Sequence, residues 1–221
     1  MNKLLETFVN NWASNYELAL NKLDIFSKKE LNWTLDKKQK FVLLIHHFRG
    51  NFYHFLWYVG SLSPNKEFKD IVLQNITEEF NGKAPSHDQL YMRFAREFGI
   101  DTTKEILSEA SYHDFARKFN RGHLKFVLTK PWNQIWSAFS SFERLDNIDY
   151  KLLLGLAQKL GTSKNGLVFF KVHTVVQHFE STSKLLEEIW EKDPQSVKKG
   201  FEFIAQNQLE MWRELGKELN T

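Results

Sequence analysis

This chain of 221 residues predicts an all-α fold, a bundle of about seven or eight helices. Apolar positions recur at three- and four-residue spacings along almost the whole length, the interval at which a helix returns to one face. Sustained alternation of β-branched residues, the mark of a half-buried strand, is missing. Only 10 Gly and 4 Pro interrupt the pattern. Hydrophobic residues make up 42% and aromatic residues 15% of the chain, enough for one large core, and no stretch reads as a linker between two cores. Residues 1–221 are therefore expected to form a single domain, with no internal repeat and no low-complexity segment.

Helices are expected, in order, at 2–22, 37–60, 65–80, 87–98, 103–119, 132–159, 164–191 and 194–218. Pro64, just after Ser-Leu-Ser, suits the first turn of the third helix. Ser86 with Gln89 three residues later forms a capping box, which puts His87 in the first turn of its helix. Gly99, after Arg-Glu-Phe, is a C-terminal stop, and Pro131 precedes the aromatic run from Trp132 to Trp136.

Composition excludes several functions. The formal net charge is +3, from 30 basic and 27 acidic residues dispersed along the chain, so no basic patch argues for nucleic acid. Cysteine is absent, which removes disulfides, thiolate ligands, iron–sulfur clusters and a cysteine nucleophile. A metal here must take His, Glu, Asp or Gln. The first twenty residues mix charged and polar side chains into their apolar pattern, and no stretch approaches the roughly 18 apolar residues of a spanning helix. A cytoplasmic protein without a membrane partner is expected.

Three segments carry candidate chemistry. In NITEEFNGKAPSHDQLYMRFAREFG, residues 75–99, Glu78 and His87 would point to opposite faces of one unbroken helix. The break FNGKAP lets the second helix return antiparallel, which can bring the two side chains to facing positions. Capping and surface solvation explain such a pair equally well when it stands alone. In WNQIWSAFSSFERLDNIDYKLLLGL, Glu143 lies seven residues after Trp136 and four after Phe139, on or beside an aromatic stripe, where a carboxylate needs an arginine or another cation. In LVFFKVHTVVQHFESTSKLLEEIW, His173, Gln177 and Glu180 fall within about 40° of one helix face, while His178 is turned about 140° from His173. A satisfied core histidine followed by surface polar residues fits the same letters. Together the segments supply Glu, His, Glu and a His-containing row in an all-α chain. Helical bundles that bind two irons use that logic, because carboxylates neutralise hard cations and imidazoles complete the shell.

On these segments the chain resembles the haem-oxygenase-like diiron oxidases, the CADD-like family, from about residue 35 to residue 190. NITEE, the short break and HDQLYMRFAREFG resemble the family's helix ending in two acidic residues and the His that opens the next. FSSFE resembles its aromatic-rich helix with one inward glutamate, and VHTVVQHFE resembles its last ligand helix, normally His, three residues, Asp, two residues, His. The resemblance implies a haem-oxygenase-like bundle and makes Glu78, His87, Glu143 and His173 metal ligands, with Glu79 replacing Glu78 if the register differs by one. Gln177 stands where the family has Asp and Glu180 where it has the final His. Gln177 is then a weak oxygen donor and Glu180 an inward ligand, which leaves the second metal site open.

The implied cofactor is Fe, two per chain, and the implied activity is an O2-dependent non-haem oxidation or cleavage of a small molecule, an amino acid or its derivative. The partners are O2 and that substrate, with no nucleic acid and no membrane, in a chain free to form a homodimer. Trp136, Phe139, Phe142, Phe169 and Phe170 are candidate pocket walls, although stripes at helical spacing usually serve as core. Arg93, Arg144 and Lys171 are candidate carboxylate binders. The same architecture hosts other functions. A thiaminase II activity fails for want of cysteine, and a haem oxygenase using His46, His47 or His54 would leave the Glu/His set unexplained. A metal-free binding protein, or a cofactor-independent oxidase resembling pyrroloquinoline quinone synthase, is the alternative.

Overall fold

A computed structural model describes residues 2–27, 31–50, 52–80, 82, 84–175 and 179–220. Among these residues every regular element is a helix, so the expected fold class holds. Twelve helical segments are described, more than the seven or eight expected. They are α1 (Lys3–Leu20), α2 (Asp24–Ser27), α3 (Leu35–Gly50), α4 (Phe52–Leu62), α5 (Lys66–Phe80), α6 (His87–Arg96), α7 (Thr102–Ser108), α8 (Asp114–Thr129), α9 (Trp132–Lys159), α10 (Val168–Val175), α11 (Phe179–Lys192) and α12 (Pro194–Glu218).

The punctuation read from sequence explains most of the boundaries. Ser86 and Gln89 form the reciprocal capping box, with Gln89 N donating to Ser86 Oγ at 3.2 Å and Ser86 N to Gln89 Oε1 at 3.0 Å. Gly99 takes φ +74° after α6, a conformation that strains any residue with a Cβ. Asp193 caps α12 by accepting from Ser196 N, and Pro194 opens that helix. Pro64 lies two residues ahead of α5 and not inside its first turn.

The expected helix 103–119 is two elements, α7 and α8. Glu109 closes α7 in the left-handed region at φ 49°, its N–H bonding to Glu105 O, and His113 then starts α8. A non-glycine residue rarely adopts that conformation, so no turn signal marks the break in the sequence.

The 28-residue helix α9 is the spine of the molecule. At 1.5 Å per residue it is about 42 Å long. Near its N-terminus Trp136 and Phe139 pack into an apolar cluster with α1, α4, α11 and α12. Near its C-terminus Leu153, Leu156 and Ala157 belong to a second cluster with α3, α6 and α8. Glu143, Asp146 and Asp149 lie on the stretch between. These carboxylates interrupt the apolar surface of α9. Among the described residues no helix is long and apolar enough to cross a membrane.

α12 crosses α9 at close range, and Gly200 makes the approach possible. A Cβ on Gly200 would lie 2.7 Å from Ala138 N and from Ser137 Cβ, and 2.8 Å from Gln134 O. Two of those neighbours are backbone atoms and cannot turn aside. Gly200→Ala is therefore expected to destabilise the fold by about 1–3 kcal/mol, as overpacking does, measured by urea denaturation. A variant as stable as the parent would show that the α9–α12 contact has slack.

Candidate metal centre

The α5–α6 break works as the sequence suggested, but with the neighbouring glutamate. Glu79, His87 and His173 are all buried, and one ligand atom from each lies within 4.8 Å of the others. Glu79 comes from the last turn of α5, His87 from the first turn of α6 and His173 from α10. His87 Nδ1 is 3.0 Å from Glu79 Oε2, and the Tyr53 hydroxyl donates to the same oxygen at 3.3 Å. The rings of His87 and His173 stand 4.4 Å apart.

His173 is held in one tautomer. Its Nδ1–H donates to Phe169 O at 2.8 Å, one helical turn back, which leaves the Nε2 lone pair available. Tyr150 stacks flat on its ring at 3.9 Å, fixing the plane. Burial, with His87 close by, pulls the His173 pKa down to about 3, so the ring is neutral at physiological pH. Burial raises the Glu79 carboxyl, but the hydrogen bond with His87 and the fields of His87, His173 and Arg49 outweigh it and hold it at about 2. A neutral imidazole beside an ionised carboxylate is the donor state that binds a divalent cation.

Glu143 is buried at 3% exposure, and its Oε1 has no hydrogen-bond partner among the described residues. Burial, together with Asp146, Glu79 and Glu78, raises its carboxyl well above the usual range. A buried carboxylate oxygen without a partner, near a Glu–His–His group, is a donor suited to a cation. The residues present therefore fit a metal. Two histidines and one carboxylate form a donor set used by non-haem Fe(II) oxygenases.

Other expected site residues are placed differently. Glu78 is half-buried, lies outside the group, and accepts from Gln74 Nε2 at 2.9 Å. Adjacent helical residues differ by about 100° in direction, so only one of the two glutamates can face His87. Glu180, expected inward, is exposed. The inward face of α11 is formed by Phe179, Thr182, Leu186 and Ile189, roughly opposite the phase obtained by counting on from His173, so the extrapolated register does not hold. Gln177, expected as a weak ligand, and His178 lie outside the described residues. Of the proposed pocket walls, Phe142 lines the cavity beside the site. Trp136, Phe139, Phe169 and Phe170 are fully buried in the apolar clusters. Arg93 and Lys171 are exposed and Arg144 is half-buried.

That cavity, of about 70 Å3, is bordered by Glu79, His173, Asp146, Asp149, Tyr150 and Arg49 among others. The last four were not singled out from the sequence. Asp149 accepts from Tyr16 Oη at 2.8 Å and from Trp212 Nε1 at 3.1 Å, while burial pushes its carboxyl up to about 7. Arg49 is buried between the faces of Tyr91 and Phe169, 4.9 and 5.1 Å from their ring centres. Its Nη1 donates to Asp88 Oδ1 at 2.6 Å, and its Nε has no partner among the described residues. In FERLDNIDY, Glu143, Asp146 and Tyr150 stand at i, i+3 and i+7, a spacing that could have revealed one inward polar face.

A family model described as iron-containing redox enzyme matches residues 39–189, and the chain belongs to that family. Its fold is shared with solved haem-oxygenase-like structures. A domain of unknown function with a heme oxygenase-like fold from Shewanella denitrificans OS217 superposes with TM-score 0.77 at 14% identity, covering 98% of this chain and 93% of that one. A CADD-like protein of unknown function from Nostoc punctiforme PCC 73102 gives TM-score 0.75 at 15% identity, covering 97% and 96%. No curated protein gives a significant sequence match.

Two outcomes follow from the geometry. Glu79→Ala is expected to weaken ferrous-iron binding by at least about tenfold, whereas Glu78→Ala leaves it unchanged; equilibrium dialysis decides, and the reverse ranking would restore Glu78. His173 also makes metal-free stability depend on pH. Its pKa is lowered from 6.5 in the unfolded chain to about 3, so the unfolded state binds the extra proton between those values. Stability must fall as pH drops from 6.5 towards 3. His173→Gln should remove that part of the slope in denaturation series.

Proposed function

We propose that this protein is a non-haem iron oxidase that uses O2 to oxidise or cleave a small carboxylate-bearing molecule, an amino acid or a derivative of one. The observation that carries the reading is the buried Glu79–His87–His173 group, of which Glu79 and His173 border an inner cavity. Membership of a family of iron-containing redox enzymes supports iron as the metal. Bound there, iron would supply the O2 activation and electron transfer that protein side chains cannot provide.

The chain's own residues have separate tasks. His173, locked by Phe169 O and Tyr150, presents Nε2 in one direction. Glu79 contributes negative charge beside the two imidazole rings. Phe52, Phe142, Phe119 and Leu153 line the cavity with apolar surface and exclude bulk water. Arg49 lines both this cavity and an outer pocket of about 310 Å3 that includes His46, Tyr53 and Asp88. A buried guanidinium with an unused Nε–H, close to the metal group, suits a substrate carboxylate entering from the outer pocket. The competing reading, a metal-free binding protein, draws on the exposed Glu180.

Anaerobic loading with ferrous iron separates the two, with iron measured by elemental analysis and O2 uptake followed across a panel of free amino acids. The expected result is bound iron and amino-acid-stimulated O2 consumption; protein that retains no iron would overturn the oxidase. Arg49→Met should leave iron content unchanged and raise KM for a carboxylate substrate by about tenfold or more.

A further inference from the structure

Asp146 is not accounted for by the group of three. It lies one helical turn after Glu143 on α9, so the two side chains leave the helix on one face, with Cβ atoms about 5–6 Å apart. It borders the same cavity as Glu79 and His173. Glu143 Oε1, buried on that same helix, has no hydrogen-bond partner among the described residues. Asp146 feels the charges of Glu79 and Asp149, and Glu143 those of Asp146 and Glu79. Arg49 opposes them at Asp146, but its Nη1 is already engaged by Asp88.

The charge balance makes the placement informative. Structural carboxylates that are buried find donors, as Asp149 does with Tyr16 and Trp212 on the same helix. Three carboxylates, Glu79, Glu143 and Asp146, lie close enough to feel one another's charge, beside the rings of His87 and His173. One divalent cation at Glu79, His87 and His173 leaves a net negative charge in a buried volume, and a second one offsets it. Carboxylates one turn apart on one helix are suited to holding a hard cation through oxygen.

We propose that Asp146 is a metal ligand and that, with Glu143, it holds a second cation beside the Glu79–His87–His173 group. The second site is thus built on α9, which explains how an exposed Glu180 is compatible with two metals. This rests on the proposed function, since it presumes that iron occupies the first group.

The test uses the full chain and ferrous iron alone. Anaerobic equilibrium dialysis with elemental analysis should give two irons per chain for the parent, two for Glu180→Gln, and one for Asp146→Asn. Folding is monitored by circular dichroism, and the melting temperature supplies a second readout. Without metal, Asp146→Asn should melt higher than the parent, because it removes a carboxyl whose ionisation burial and the neighbouring carboxylates oppose; with iron in excess, the parent should gain more than the variant. Iron binding by Asp146→Asn equal to the parent in stoichiometry and affinity would overturn the assignment while leaving the oxidase reading intact. No iron in the parent would overturn both.

Discussion

The contact between His87 and Glu79, 3.0 Å across the α5–α6 break, is the constraint on which the rest of the site depends. It joins the last turn of one helix to the first turn of the next, so the break is pinned at both ends by side chains as well as by the Ser86–Gln89 capping box. Capping supplies the direction of α6, and the histidine that follows the cap is thereby aimed back at α5. His173 then completes the group from α10, its ring held between Tyr150 and the Phe169 carbonyl. Removing the cap would cost about 1 kcal/mol of helix stability, but the larger consequence would be loss of aim.

The helix α9 sets the electrostatic character of the interior. Its two ends are anchored in apolar clusters, and this packing keeps Glu143 and Asp149 buried while Asp146 borders the cavity. Asp149 is satisfied by two donors, whereas Glu143 Oε1 has none among the described residues. Such groups oppose folding of the metal-free chain, since each buried charge or displaced pKa is stability forgone. A fold that tolerates them must draw on the rest of the core, including the close α9–α12 contact at Gly200.

Arg49 links the centre to its surroundings. Aromatic faces on both sides and an ion pair to Asp88 hold it, while it borders the inner cavity and the outer pocket at once. Burial alone would lower its pKa, but Asp88 and the nearby tyrosines raise it, so it remains charged. A fixed cation between two cavities selects for anions on the inner side.

Periodicity and turn chemistry in the sequence determined the helical class, the α9 and α12 boundaries, the capping box before His87 and the His, Glu and His that face inward at 87, 143 and 173. These are local properties, set by spacing and by residues within one turn. Only the tertiary structure decided between Glu78 and Glu79, because the direction in which α5 meets α6 sets which neighbouring residue faces the histidine. Glu180 was misplaced for a related reason: the phase counted from His173 assumes one register across 173–180, and the inward face of α11 does not keep it. The break at Glu109 was hidden because a left-handed glutamate leaves no glycine signal. Arg49, Asp146 and Tyr150 were legible as polar residues, but their meeting at one cavity depends on α3 bringing Arg49 to the face of α9, a long-range arrangement that no local pattern encodes.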